Sequence, residues 1–182
     1  MRRQLFSIIL SLIFASCAAT LPYATDYPLT QELFHSRDGI LTGKVPQGWF
    51  SSSDDTLAPA LILWLIREDF SAALTVREIK LDQLSVQHVE KEGLELLAHI
   101  SAGLHDENLP VKEIETQEFK INENKFCSYE VGSGVKRKRF VVFFTNGKYY
   151  ECEARPLKGI WTGTDLVRLF TTQQTILSSL NF

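Results

Sequence analysis

Two runs in this chain have no polar face, and they set its architecture. The first, Arg139-Phe140-Val141-Val142-Phe143-Phe144, turns at Asn146-Gly147 and returns as Tyr149-Tyr150-Glu151-Cys152-Glu153-Ala154. Asn-Gly between such runs predicts a two-residue hairpin turn, because both residues tolerate the positive φ of a type I′ turn. The second run, Ala60-Leu61-Ile62-Leu63-Trp64-Leu65-Ile66, is only seven residues long, follows Ala58-Pro59 and ends in Arg67-Glu68-Asp69. Its length and punctuation predict a strand rather than a helix. A strand apolar on both sides needs a layer on each face of its sheet, so Val142 and Phe143 should bury in opposite layers.

Weaker patterns fill in the order. Ile40 to Val45 reads as a first strand, broken by Pro46-Gln47-Gly48-Trp49 before the polar Ser51-Ser52-Ser53-Asp54-Asp55. Ala72 to Leu81 reads as the hairpin partner of the second apolar run, with a bulge near Arg77-Glu78 expected where the inward set shifts from Leu74 and Val76 to Ile79 and Leu81. From Asp82, a plausible N-cap, the period becomes helical: Val86, Val89, Gly93, Leu96, Leu97, Ile100 and Leu104 share one stripe, and the helix should stop near His105-Asp106, before Pro110. Lys112 to Ile121 reads as a strand with a kink between Ile114-Thr116 and Phe119-Ile121. Lys125 to Val131 and a Gly132-Ser133-Gly134 turn lead into the first hairpin. A last helix runs from Thr162–Thr164 to Asn181, with Leu166, Leu169, Phe170, Ile176, Leu177 and Leu180 on one face.

Several strands, a long helix, several strands and a closing helix, joined mostly by short connections, predict an α+β fold: a three-layer α/β/α sandwich with a mainly antiparallel sheet and two long helices.

The opening residues stand apart from that domain. Arg2 and Arg3 precede a short apolar run, Leu5 to Ala15, well below the ~20 residues a membrane-spanning helix needs. Ala15-Ser16-Cys17 after that run resembles a bacterial lipobox, with Phe14 where an aliphatic residue is usual. Residues 1–16 are then a lipoprotein signal peptide, Cys17 is the lipidation site, and 17–38, with two prolines and no long apolar period, is a tether ahead of a single domain at 39–182. Acyl chains such as palmitate would hold the protein on the periplasmic side of the cell envelope, at the outer membrane ahead of the inner one in a Gram-negative cell. The alternative is an ordinary signal peptide cleaved nearby, for instance after Ala19, with Cys17 discarded.

The whole chain carries 19 basic and 22 acidic side chains. Removing residues 1–16 leaves 17 against 22, a formal charge of −5, which argues against nucleic acid as a partner and against general adhesion to anionic lipid head groups. The 166 residues that remain suit one domain with a full core.

Val45-Pro46-Gln47-Gly48-Trp49 after a first strand, the strand pair, the central helix, the meander through Arg139–Phe143 and Tyr149–Cys152, and a C-terminal helix ending in Ile176-Leu177-Ser178-Ser179-Leu180 resemble the PsbP-like family. That family includes an extrinsic photosystem II protein and many bacterial lipoproteins. The resemblance covers roughly residues 38–182 and rests on element order and a short Pro-x-Gly-Trp signature. It implies an α/β/α sandwich and a non-enzymatic module that binds or stabilises a partner, often at a membrane, with no shared site residues and no cofactor. A lipid-anchored envelope module with a protein partner is the function so implied.

Chemistry-bearing patterns are sparse. His88, Glu92, Glu95 and His99 fall along one helical stripe and offer a weak metal set for an envelope hydrolase or metal-dependent enzyme, against which stands a solvated polar face lacking a ligand from another element. Glu151 and Glu153 share one strand face and could be imagined as a hydrolase dyad, although outward charge on a sheet rim is the commoner meaning. Lys136, Arg137, Lys138 and Arg139 form the one dense basic run, open to an acidic partner or lipid head groups, but strand alternation would divide it between faces. Trp49, Trp64 and Trp161 read as packing residues. A two-residue Asn146-Gly147 turn places Val141 opposite Cys152, and the Gly132–Gly134 turn places Cys127 opposite Phe140 or a neighbour. The two cysteines then flank a common strand, too far apart for a bridge, and are expected as free, buried thiols.

Overall fold

A computed structural model describes residues 21–52, 59–105 and 114–181. The expected signal peptide, Cys17, residues 53–58 and the start of the strand expected from Lys112 lie outside them. The described chain runs β1 (Leu29–His35), β2 (Thr42–Pro46), β3 (Trp49–Ser51), β4 (Leu61–Arg67), β5 (Ala72–Ile79), α1 (Gln83–Glu92), α2 (Leu94–His105), β6 (Thr116–Ile121), β7 (Asn124–Val131), a 3₁₀ turn (Gly134–Lys136), β8 (Lys138–Thr145), β9 (Lys148–Pro156) and α3 (Gly163–Ser179). Seven strands form one sheet in the order β3-β4-β5-β9-β8-β7-β6. Every neighbouring pair in it is antiparallel.

The two apolar runs sit inside this sheet for the expected reason: both faces are covered. Val141, Phe143, Tyr150, Cys152 and Leu74 pack against α3 and the β1–β2 hairpin. Phe140, Val142, Tyr129 and Cys127 pack under α1 and α2. The α+β three-layer sandwich expected from the pattern is the fold observed. The Asn146-Gly147 turn has φ of 49° and 76° and pairs Thr145 with Lys148. The last helix starts at a capping box in which the Thr162 side chain bonds the Asp165 backbone and Asp165 bonds back.

Four expectations need correction. The central helix is two helices: Gly93, at φ 90°, ψ −174°, ends α1, with its N–H bonded to the Val89 carbonyl. A residue on the expected apolar stripe is therefore the break in it, and the stripe re-phases, burying Leu97, Ala98 and Ala102 and leaving Leu104 exposed. The bulge lies on β4 rather than β5: Leu61 pairs with Arg77 but Leu63 with Val76, and the carbonyl of the intervening Ile62 accepts the Arg37 N–H at 2.7 Å. β5 itself is regular from Ala72 to Ile79 against β9. Its change from even to odd apolar positions is a change of layer, since Leu74 and Val76 bury toward α3 while Ile79 packs toward α1 and α2. The kink expected in the β6 region has the same explanation, because Thr116–Ile121 pairs with β7 without a shift. Finally, the segment read as a tether to residue 38 contains β1, and Tyr23 and Tyr27 before it pack against the core.

Candidate functional site

The helical His/Glu stripe does not assemble. His88 and Glu92 lie at 3.8 Å on α1, and His99 and Glu95 at 3.9 Å on α2, as separate i,i+4 pairs. The break at Gly93 sets them on different helix axes. Glu95 accepts from Thr116 Oγ1, and among the described residues no three His, Cys, Asp or Glu side chains gather as a metal set.

A different cluster forms between the sheet and α2, around Glu151. This carboxylate is only 2 % exposed, where the rim of the sheet had been expected. Cross-strand pairing with Arg77 brings that guanidinium Nε to Oε1 at 2.8 Å. From α2, one turn apart, come His105, whose Nε2 is 3.0 Å from Oε1, and Ser101, whose hydroxyl donates to Oε2. Tyr129 on β7 donates to Oε2 at 2.8 Å. His105 Nε2 also lies 3.0 Å from Arg77 Nη2; one imidazole nitrogen cannot donate to the acid and accept from Arg77 at once, and the buried carboxylate takes the proton donor. The ring rests on Phe140, with centroids 4.1 Å apart.

Burial alone would raise the Glu151 pKa, but the hydrogen bonds from His105 and Ser101 and the attraction of His105 and Arg77 outweigh it and hold the carboxyl down to about 2. Burial and the neighbouring carboxylate push the Tyr129 phenol up, so it stays a donor. Glu151 is thus a permanent anion with two donors on each oxygen. Glu153, the other half of the imagined dyad, is engaged by Lys138 at 3.6 Å and Arg155 at 3.9 Å.

On the opposite face the basic run is divided further than strand alternation requires. Arg139 is 1 % exposed, so it shares no surface with Lys136, Arg137 and Lys138. Its fork spans two glutamines of α3, Nη1 to Gln173 Oε1 at 2.9 Å and Nη2 to Gln174 Oε1 at 2.8 Å. The guanidinium stacks against Tyr23 and Phe119 at 4.9 and 5.5 Å from the ring centroids. Burial pulls its pKa down to about 10. Gln173 also donates to the Cys152 carbonyl at 2.8 Å and the Arg139 carbonyl at 3.2 Å, fastening α3 to β8 and β9.

Beside Arg139, a cleft of about 690 Å³ opens at the start of β6 and the end of β7. It is lined by Tyr23, Thr116, Ser128, Glu130, Arg137 and Arg139, among others. Glu130 there accepts from Tyr23 Oη at 2.9 Å and from Arg137 at 2.8 Å. Burial, with Glu130 beside it, pushes the Tyr23 phenol up to about 12.

Sequence reasoning missed Arg77, Ser101, His105 and Tyr129 because they come from three separate elements, β5, α2 and β7. The one available signal was Glu151 itself, an acid in the middle of a return strand whose partner is apolar on both faces. Of the tryptophans, Trp49 is buried, Trp64 and Trp161 half-buried. Cys127 and Cys152 are free and buried, on strands flanking β8, opposite Val142 and Val141 respectively. They also face different layers, and burial pushes both thiols up to about 12.

Comparison with known proteins places the fold. No family model and no curated protein matches the sequence. Among solved structures, the solution structure of cyanobacterial PsbP (CyanoP) from Synechocystis sp. PCC 6803 superposes with a TM-score of 0.54 at 11 % identity, over 93 % of this chain and 98 % of that one. A crystal structure of a protein from Bacteroides thetaiotaomicron gives 0.46 at 12 % identity, over 85 % of this chain and 48 % of that one. The fold is PsbP-like.

Proposed function

We propose that this protein is a non-catalytic accessory module of the bacterial cell envelope, held on the membrane by acyl chains on Cys17, that stabilises or recruits a protein partner. The observation that carries this reading is the closed state of the Glu151 cluster within a PsbP-like fold. A carboxylate with four donors and a pKa near 2 is poorly suited to general acid or base work at neutral pH, which needs a group poised near the working pH and within reach of substrate. The polar chemistry of this centre holds α2 on the sheet. The cleft along Tyr23, Glu130 and Arg137 is the region that offers a partner both signs of charge and an aromatic edge.

Two measurements test the two halves of this reading. Labelling of cells with a fatty-acid analogue should mark the wild-type protein and not Cys17→Ser, which should move to the soluble envelope fraction; equal labelling of both forms defeats the lipid anchor. Crosslinking in native membranes should recover one dominant envelope protein, and Arg137→Glu should reduce its yield. Recovery of no protein above background would leave the module without a partner and overturn that half.

A further inference from the structure

We infer that the loop end of the domain formed by the β4–β5 turn, the 3₁₀ turn and the segment after β9 is a membrane-facing surface that rests on the anionic head groups of the bilayer carrying the anchor. This rests on the lipidation of Cys17 proposed above.

The first ground is where the chain enters the domain. Tyr23 is pinned by its hydrogen bond to Glu130 and by edge packing on Phe170 at 5.4 Å. Five residues lie between it and Cys17, six residue steps and at most about 22 Å of fully extended chain. An acylated Cys17 therefore keeps the end of the domain at which the chain enters within that reach of the bilayer. Arg137, bonded to Glu130 and to the Gly134 carbonyl, ties the entry point to the 3₁₀ turn.

The second ground is what lies beside that entry point. Val135, Lys136, Lys138, Leu157, Lys158 and Trp161 line one open depression. Next to it Ile160 is 99 % exposed, and Val135 and Leu157 are exposed as well. Leu157 and Lys158 are held by the Ser71 carbonyl beside Phe70, and Lys158 Nζ sits 5.3 Å from the Phe70 ring centroid. Phe70 is itself exposed and adopts φ 59°, a left-handed conformation that a bulky side chain rarely takes. Glycine would relax that turn; instead Phe70 packs edge-on against Phe50, also exposed, at 5.9 Å, and the two rings extend the apolar surface of this end.

Charge supplies the third ground. Glu130 is matched by Arg137, Glu153 by Lys138 and Arg155, and Asp69 by Arg67. Among the described residues Lys136 and Lys158 have no ion-pair partner and neither does Glu68 in the β4–β5 turn, so the basic side chains at this end still outnumber the acidic ones on a chain that is acidic as a whole. Exposed aliphatic and aromatic side chains ringed by lysine, at the end where a lipid-bearing chain enters, match the interfacial layer of an anionic leaflet.

The test separates this surface from natural acylation by coupling the mature chain (17–182) through Cys17 to a maleimide lipid, in vesicles of equimolar phosphatidylglycerol and phosphatidylcholine. The buried Cys127 and Cys152 do not compete for the reagent. Brominated acyl chains should quench tryptophan emission, and Trp161→Phe should cut that quenching by about threefold or more while Trp64→Phe leaves it in place. Lys136→Glu combined with Lys158→Glu should lower it about twofold, with folding checked by circular dichroism. Absent quenching, or quenching unchanged by Trp161→Phe, overturns the inference and returns this end to a protein partner or to solvent. A failure of acylation would instead show in the labelling of Cys17 in cells.

Discussion

Among the described residues Glu151 and Arg139 are the two most deeply buried charges, on adjacent strands and opposite faces, and they are satisfied by opposite means. Glu151 gathers charged and polar donors from three elements, keeps its charge, and has its pKa lowered to about 2. Among the described residues no carboxylate lies within ion-pair distance of Arg139. It is held by two neutral amide oxygens and two ring faces, and burial pulls its pKa toward 10. The difference shows that a buried charge needs full hydrogen bonding more than it needs a counter-ion. A delocalised guanidinium, weakly hydrated and planar, tolerates neutral partners; a compact carboxylate demands donors on both oxygens.

The largest effect should come from Glu151→Ala, which strands the Tyr129 and Ser101 hydroxyls and leaves Arg77 and His105 facing each other without their acid. A loss of about 3–5 kcal/mol in denaturant unfolding is expected. A loss under about 1 kcal/mol would mean the cluster is not formed in solution.

Acid tests the same centre without mutation. The folded carboxyl lies below the unfolded value of about 4.3, so between those pH values the unfolded state binds more protons and stability falls as pH is lowered. The contribution, on the order of 3 kcal/mol, is fully present above pH ~5 and drains away as pH drops toward about 2. Glu151→Gln should flatten that slope; an unchanged acid limb in the variant would assign it to other carboxylates.

Arg139→Met keeps the volume and the ring contacts but orphans two buried amide oxygens. Removal of a desolvated charge offsets part of that cost, leaving an expected loss of about 2 kcal/mol, smaller than for Glu151→Ala. If the order of the two variants is reversed in urea melts, the contrast between the centres fails.

Smaller again, Tyr23→Phe removes one partly exposed hydrogen bond to Glu130 and should cost about 1 kcal/mol or less. The cysteines test the layering itself. Both thiols should resist a maleimide reagent in the folded protein, and both should react once it is denatured without reductant. A chain showing neither thiol after denaturation would contradict strands that keep Cys127 and Cys152 on different faces.

Much of the fold is legible in the order of residues because the signals are local. Asn146-Gly147, the capping Thr162 and Asp165, and runs apolar at every position act through neighbours in sequence. The errors share one physical origin. Where both faces of a sheet are covered, odd and even positions can each be buried, so a change of parity in β5 or near β6 imitates a bulge. Gly93 reads as one more small residue on a stripe until its backbone conformation is known. β1 was hidden because a two-stranded hairpin laid over a core needs only a few apolar contacts, here Phe34 against Leu41 and Val45.

By itself the sequence determined the α+β sandwich, the β8–β9 register, the two unpaired thiols and the resemblance to PsbP-like proteins, while the β7–β8 register lies two residues from the expected one, Cys127 pairing with Val142 rather than Phe140. Only the tertiary structure decided which charges are buried and with whom. Arg77, Ser101, His105, Tyr129 and Glu151 come from four elements, and Arg139 meets Gln173 and Gln174 across 34 and 35 residues of chain. The physical reason is that desolvation depends on what packs above a strand, and that is set by helices whose placement no local pattern encodes.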